Sequence, residues 1–88
     1  MEVRFAPAAD EDFQSFDKQL QLFFNQHIEK LIDMPPRKKH LRHGIPFHKE
    51  DVTKQARLVY DIDGEIFIVI RCFATHKEYE KWYKTYKN

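Results

Sequence analysis

Five side chains in the second half of this 88-residue chain are suited to chemistry: Arg57, Arg71, His76, Lys77 and Tyr83. A guanidinium is planar and can grip a phosphate through two parallel N–H donors, a task that suits Arg better than Lys. An imidazole titrates near neutrality, so His76 is the best single candidate to carry a proton at physiological pH. Cleavage of a phosphodiester by its own ribose 2′-OH needs such a pair: a cation at the developing charge and one or two groups that move protons. The same residues have structural alternatives. Arg57 could pair with Glu78 or Glu80, and His76 could sit in a capped turn without a further role. Arg71 lies in an apolar run, where an unpaired guanidinium is costly, so it should reach solvent, a carboxylate or a ligand phosphate.

The elements that position these residues are legible in the pattern. Residues 55–62 alternate, with Leu58 and Tyr60 on one face and Arg57, Val59 and Asp61 on the other. Asp63-Gly64 is a two-residue hairpin signal. The run EIFIVIRCF (65–73) is almost continuously apolar, as in a central strand covered on both faces. If these strands pair, Arg57 and Arg71 fall near the same end of the hairpin and His76 follows directly. Residues 77–86 then suit a short helix, with Thr75 as N-cap and Glu78 as its capping-box partner. Tyr79, Trp82, Tyr83 and Tyr86 recur at helical spacing and are expected mainly to pack that helix on the sheet, with at most one ring left to stack on a base.

Upstream, Val3 and Phe5 share one face of a short strand that stops at Pro7. Acidic Asp10, Glu11 and Asp12 favour a helix start after Ala8 through the macrodipole. Asp17 is placed to cap a second helix, whose stripe is Leu20, Phe24, Ile28 and Leu31 with His27 as a structural flank. Met34-Pro35-Pro36 ends it, because neither proline supplies a helical N–H. Leu41 anchors a basic connector (37–44), and Ile45-Pro46-Phe47-His48 opens an edge strand, where a proline is tolerated. Two helices on one face of a small, largely antiparallel sheet, followed by a short C-terminal helix, make an α+β domain spanning 1–88.

Composition narrows the function classes. Hydrophobic residues make up 42% of the chain and eight residues are Phe, enough for one modest core and unlike a disordered chain. The single Cys72 excludes an internal disulfide, and no apolar run is long enough to cross a bilayer; both suit a soluble protein of the cytoplasm. Residues 1–33 hold three basic and seven acidic side chains, whereas residues 34–88 hold 12 and seven. The sharpest basic concentration is Arg37, Lys38, Lys39, Arg42, Lys49, Lys54 and Arg57, either a cationic face for RNA or another polyanion or a solvated loop. His40, His43, His48 and Cys72 recur at no metal-ligating spacing, and there is no Gly-rich phosphate loop or nucleophile elbow.

Taken in order, these motifs resemble the RelE/ParE superfamily of type II toxins. The opening strand Val3-Arg4-Phe5-Ala6-Pro7, the helix pair ending at Met34-Pro35-Pro36, the connector His40-Leu41-Arg42-His43-Gly44 and the strand Arg57-Leu58-Val59-Tyr60 are each similar to a family signature. Thr75-His76-Lys77-Glu78-Tyr79 resembles a run in HigB-type members. The resemblance covers nearly the whole chain. It implies an mRNA endoribonuclease that acts with the ribosome, without metal or other cofactor, and is held inactive in a hetero-oligomer with a cognate antitoxin. It places Arg57 at the scissile phosphate, His76 or Lys77 at a second basic position, and Tyr83 where some members have a proton-transferring tyrosine. Lys49 and Lys54 fall where others carry catalytic or RNA-binding lysines, although Glu50 and Asp51 in the same segment depart from the pattern. The same scaffold also hosts ParE-like inhibitors of DNA gyrase, and a non-toxic module binding RNA or antitoxin is a third reading.

Overall fold

The apolar run 65–73 does become the centre of a sheet, but its pleat changes phase part-way along. The computed structural model describes residues 1–33 and 47–87. Its elements are β1 (Glu2–Phe5), α1 (Pro7–Gln14), α2 (Lys18–Asp33), β2 (His48–Asp51), β3 (Arg57–Asp63), β4 (Ile66–Phe73) and α3 (His76–Lys87). The strands lie in the order β1-β4-β3-β2, with β1 parallel to β4 and the other pairs antiparallel. The α+β architecture read from the sequence is therefore present. The helix stop at Met34-Pro35-Pro36, the basic connector with Leu41, and Ile45-Pro46 lie outside the described residues.

Leu58 pairs with Cys72, Val59 with Arg71 and Tyr60 with Val69, which leaves Ile70 as an extra residue in β4. A bulge of this kind moves every later side chain to the opposite face. Phe67, Val69 and Cys72 accordingly point into one core, and strict alternation would have sent Arg71 there in place of Cys72. The bulge keeps a guanidinium out of the apolar layer. The hairpin turn is Gly64-Glu65, one residue later than Asp63-Gly64 suggests, with Gly64 at φ 60°. That left-handed conformation costs an L side chain about 1 kcal/mol or more.

The larger core lies between the sheet and the first two helices. Ala9 of α1 and Phe24, Ile28 and Leu31 of α2 bury against Leu58, Tyr60, Phe67, Val69 and Cys72. Pro7 occupies the first turn of α1, where its missing N–H costs nothing, so the helix begins one residue before Ala8. Asp17 caps α2 as expected, accepting the Leu20 N–H at 2.8 Å. His27 is indeed structural: its Nδ1 meets Glu50 Oε2 at 2.9 Å, and Lys30 Nζ lies 3.5 Å from the same oxygen. Glu50 is only 5% exposed, so these contacts tie edge strand β2 to α2 around a buried charge. The second core occupies the other face, where Val59, Phe73 and Tyr79 are buried with Phe47, Ile70, Trp82 and Tyr83 packed around them. This cluster is what holds α3.

Candidate active site

The corner between β2 and β3 is built around Arg57. Val52 N–H donates to Ala56 O at 3.0 Å, and Thr53 Oγ1 accepts the Ala56 N–H at 2.9 Å, closing a tight turn. Arg57 Nη1 then donates to the carbonyls of Thr53 (3.0 Å), Lys54 (3.2 Å) and Ala56 (3.0 Å). The arginine is 9% exposed and fixed by the turn it stabilises. The register places Asp51 opposite Arg57 and Lys49 opposite Val59, so all three charges share the α3 side of the sheet. Asp51 Oδ1 lies 3.1 Å from Arg57 Nε and 3.1 Å from Lys49 Nζ. The Nε contact is an ion pair out of line for a hydrogen bond. The carboxylate beside Arg57 is thus Asp51, while Glu78 and Glu80 have other partners.

The start of α3 docks on this corner. Thr75 Oγ1 accepts the Glu78 N–H at 3.1 Å and donates to the Glu78 carboxylate at 2.9 Å, so the expected capping pair is formed. The next N–H, that of His76, points to Gln55 Oε1 at 3.4 Å, which links the helix start to the turn that holds Arg57. His76 Nε2 sits 2.6 Å from Glu80 Oε1, one helical turn on. Tyr79 lies at the middle of the group and is only 7% exposed. Its ring is 6.0 Å from that of Tyr83, 6.3 Å from that of His76 and 6.0 Å from Lys49 Nζ. Burial raises the Tyr79 phenol above its ordinary pKa, Tyr83 adds to the rise, and the nearby Arg57 charge opposes it.

Arg57, His76, Tyr83 and Lys49 are therefore gathered around one buried ring. Lys77 and Lys54 are exposed at the margin. Arg71 is not part of the group: although it is near the same end of the hairpin, it turns to α1. Its Nε and Nη2 donate to Asp12 Oδ2 (2.6 Å) and Oδ1 (3.0 Å), and Asp12 also accepts the Cys72 N–H at 3.0 Å. This is the carboxylate alternative anticipated for that residue. The Asp12 hydrogen bond is the main cause that raises the Arg71 pKa. Arg37, Lys38, Lys39 and Arg42 lie outside the described residues.

Sequence reasoning missed the part played by Asp51 and the central place of Tyr79. Alternation from Arg57 back through the turn could have found Asp51 had the turn length been known. A cleft of about 400 Å³ lies on the other flank of α3, lined by Asp12, Phe16, Arg71, Lys81 and Trp82 among others. Among the described residues, no three His, Cys, Asp or Glu side chains are grouped to hold a metal, and no helix is long and apolar enough to cross a membrane.

No protein-family profile matches the chain, and no curated protein does. Solved structures do. The YoeB–YefM complex from Staphylococcus aureus contains a chain that matches with a TM-score of 0.70 at 18% identity, over 82% of this chain and 93% of that one. The YoeB/ParE toxin from Agrobacterium tumefaciens matches with a TM-score of 0.70 at 20% identity, over 82% and 95%. The isolated RelE toxin of E. coli matches with a TM-score of 0.69 at 15% identity, over 96% and 97%. These matches leave almost nothing of those chains uncovered. This chain has the fold of the RelE and YoeB toxins.

Proposed function

We propose that the protein is the toxin of a type II toxin–antitoxin pair and cleaves mRNA at the corner where β2, β3 and α3 meet, in company with the ribosome. The observation that carries this reading is the docking of His76 on Gln55, because it sets a proton carrier beside the turn that holds a fixed arginine. The free edge of the Arg57 guanidinium and Lys49 hold the scissile phosphate. His76 gives its Nε2 proton to the hydrogen bond with Glu80 and keeps a lone pair on Nδ1, which takes the 2′-OH proton. The 2′-oxygen attacks phosphorus, the P–O5′ bond breaks, and Tyr83 supplies the proton that leaves with the 5′-oxygen. The products are a 2′,3′-cyclic phosphate and a 5′-hydroxyl, and the proton count balances without a metal. Lys77 and Lys54 add positive charge for the RNA backbone, and Arg71 holds the end of β4. Arg37, Lys38, Lys39 and Arg42 contribute further positive charge for RNA. The toxins in the matched YoeB–YefM and RelBE structures are complexes with antitoxins, which supports a cognate antitoxin as partner here.

The test is expression of the wild type and of an Arg57→Ala/His76→Ala double variant, with mRNA ends mapped in each. Growth arrest with new 5′-hydroxyl ends from the wild type alone is expected. A wild type that leaves growth and transcript ends unchanged refutes the reading. One observation favours a second reading: three backbone carbonyls and Asp51 already engage Arg57, as in a binding surface with no cleavage to perform. On that reading the chain inhibits DNA gyrase or only binds a partner. Gyrase inhibition predicts a DNA-damage response with intact transcripts, and His76→Ala leaves it unaffected.

A further inference from the structure

Among the described ion pairs, the one at the β2–β3 corner places a carboxylate between two cations of the candidate site. A single oxygen, Asp51 Oδ1, stands 3.1 Å from both Lys49 Nζ and Arg57 Nε. Arg57 Nη1 is committed to the three carbonyls of the corner, so the edge of the guanidinium that remains for a ligand is the one facing Asp51. A phosphate oxygen bound by Lys49 and Arg57 would have to lie where this carboxylate oxygen lies. The Asp51 side chain is 57% exposed on edge strand β2, whereas that of Arg57 is 11% exposed and held. The carboxylate can therefore turn into solvent while the arginine stays in place.

We propose that Lys49 and Arg57 form a seat for one phosphoryl group, that Asp51 occupies this seat in the free protein, and that a nucleic-acid phosphate binds by displacing it. The proposal rests on the nuclease reading for the identity of the incoming phosphate, but not for the existence of the seat. Asp51 is the solvent-exposed partner of both pairs, and screening at its side keeps the displacement reversible. It nevertheless makes binding selective for a partner that brings several phosphates or other contacts at once. A lone anion meets that competition with one seat alone, whereas a strand held elsewhere offsets it with further contacts.

The experiment compares wild type, Asp51→Asn and Glu29→Gln, which removes the same charge from an exposed position on α2. Two probes are titrated into each: inorganic pyrophosphate, and a short single-stranded RNA made uncleavable by 2′-deoxy substitution. Asp51→Asn should bind both probes about three- to tenfold more tightly, from the loss of two exposed ion pairs. The NMR signal of Arg57 Nε–H should move on probe addition in wild type, and Glu29→Gln should behave as wild type throughout. If Asp51→Asn binds pyrophosphate no better than Glu29→Gln does, the seat is refuted. It is equally refuted if Asp51→Asn leaves RNA affinity unchanged and abolishes cleavage, since Asp51 then acts in proton transfer. Tighter pyrophosphate binding with no RNA binding by any variant keeps the seat and overturns the nuclease reading instead.

Discussion

Removal of Asp12 gives the sharpest test of how the sheet ends. β1 stops pairing at Phe5–Val69, so among the described residues the rest of β4 has no neighbouring strand on that side. Asp12 substitutes for one by accepting three N–H groups: two from Arg71 and the backbone N–H of Cys72. The Asp12 and Arg71 side chains are 18% and 30% exposed, between the regimes of surface and buried pairs. Exposed pairs contribute about 0.2–1 kcal/mol, and removal of one partner from a buried pair costs about 3–5 kcal/mol. Asp12→Ala also strands a backbone N–H, a loss of about 1–3 kcal/mol when buried. These contributions overlap, and a net loss of about 2–3 kcal/mol follows. For a domain of this size that lowers the melting temperature by roughly 10–20 °C. Thermal unfolding followed by circular dichroism measures it, with Arg71→Ala and the double variant completing a cycle. Asp12→Asn keeps an oxygen for the Cys72 N–H and should lose about half as much. A melting temperature for Asp12→Ala within about 2 °C of wild type, or Asp12 and Arg71 effects that simply add, would refute the account of β4.

Burial pushes the Cys72 thiol up to about 12 and the Tyr60 phenol likewise to about 12. An acid whose folded pKa lies above its unfolded value contributes stability that is complete below the unfolded pKa and is lost as pH rises toward the folded one. Stability should thus decline from about pH 9 to 12 for Cys72 and from about pH 10 to 12 for Tyr60, by at most about 1.4 kcal/mol per pH unit for each group. Chemical denaturation of Cys72→Ala across this range should show a shallower decline than wild type, and the wild-type thiol should resist alkylation at pH 8 until the protein unfolds. Thr75→Ala removes the cap of α3 and should cost about 1 kcal/mol. Because His76 sits next to that cap, any nuclease activity should fall more than the folded fraction does. Gly64→Ala forces an L side chain into φ 60°, although its Cβ would meet no atom within 4 Å. Its cost should be the backbone term alone, about 1 kcal/mol by urea denaturation.

Periodicity carried most of the fold. The stripe of Phe24, Ile28 and Leu31, the Asp17 and Thr75 caps and the hairpin all follow from local rules, because each depends on residues within one or two turns of one another. The phase change at Ile70 does not. A run apolar on both faces hides its own alternation, so nothing local tells whether Arg71 or Cys72 faces the larger core. The Arg57–Asp51 pair was hidden for a related reason: it depends on how many residues the β2–β3 corner spends. Tyr79 was read correctly as packing, but its position at the meeting point of Lys49, His76 and Tyr83 is set by the packing angle of α3, which no spacing encodes.

The parallel pairing of β1 with β4 also governs when this protein can exist during synthesis. Glu2 meets Ile66 and Phe5 meets Val69, each pair 64 positions apart, and α3 follows later still. The first strand therefore emerges from the ribosome long before its partner, and the apolar stripe of α2 must wait for β3 and β4 to cover it. Contacts so distant in the chain slow folding, because the loop must close before its reward is collected. The corner that carries Arg57 needs α3 to complete it, and α3 is made after all four strands. A chain interrupted just before Thr75 would have α1, α2 and all four strands, yet neither His76 nor Tyr83.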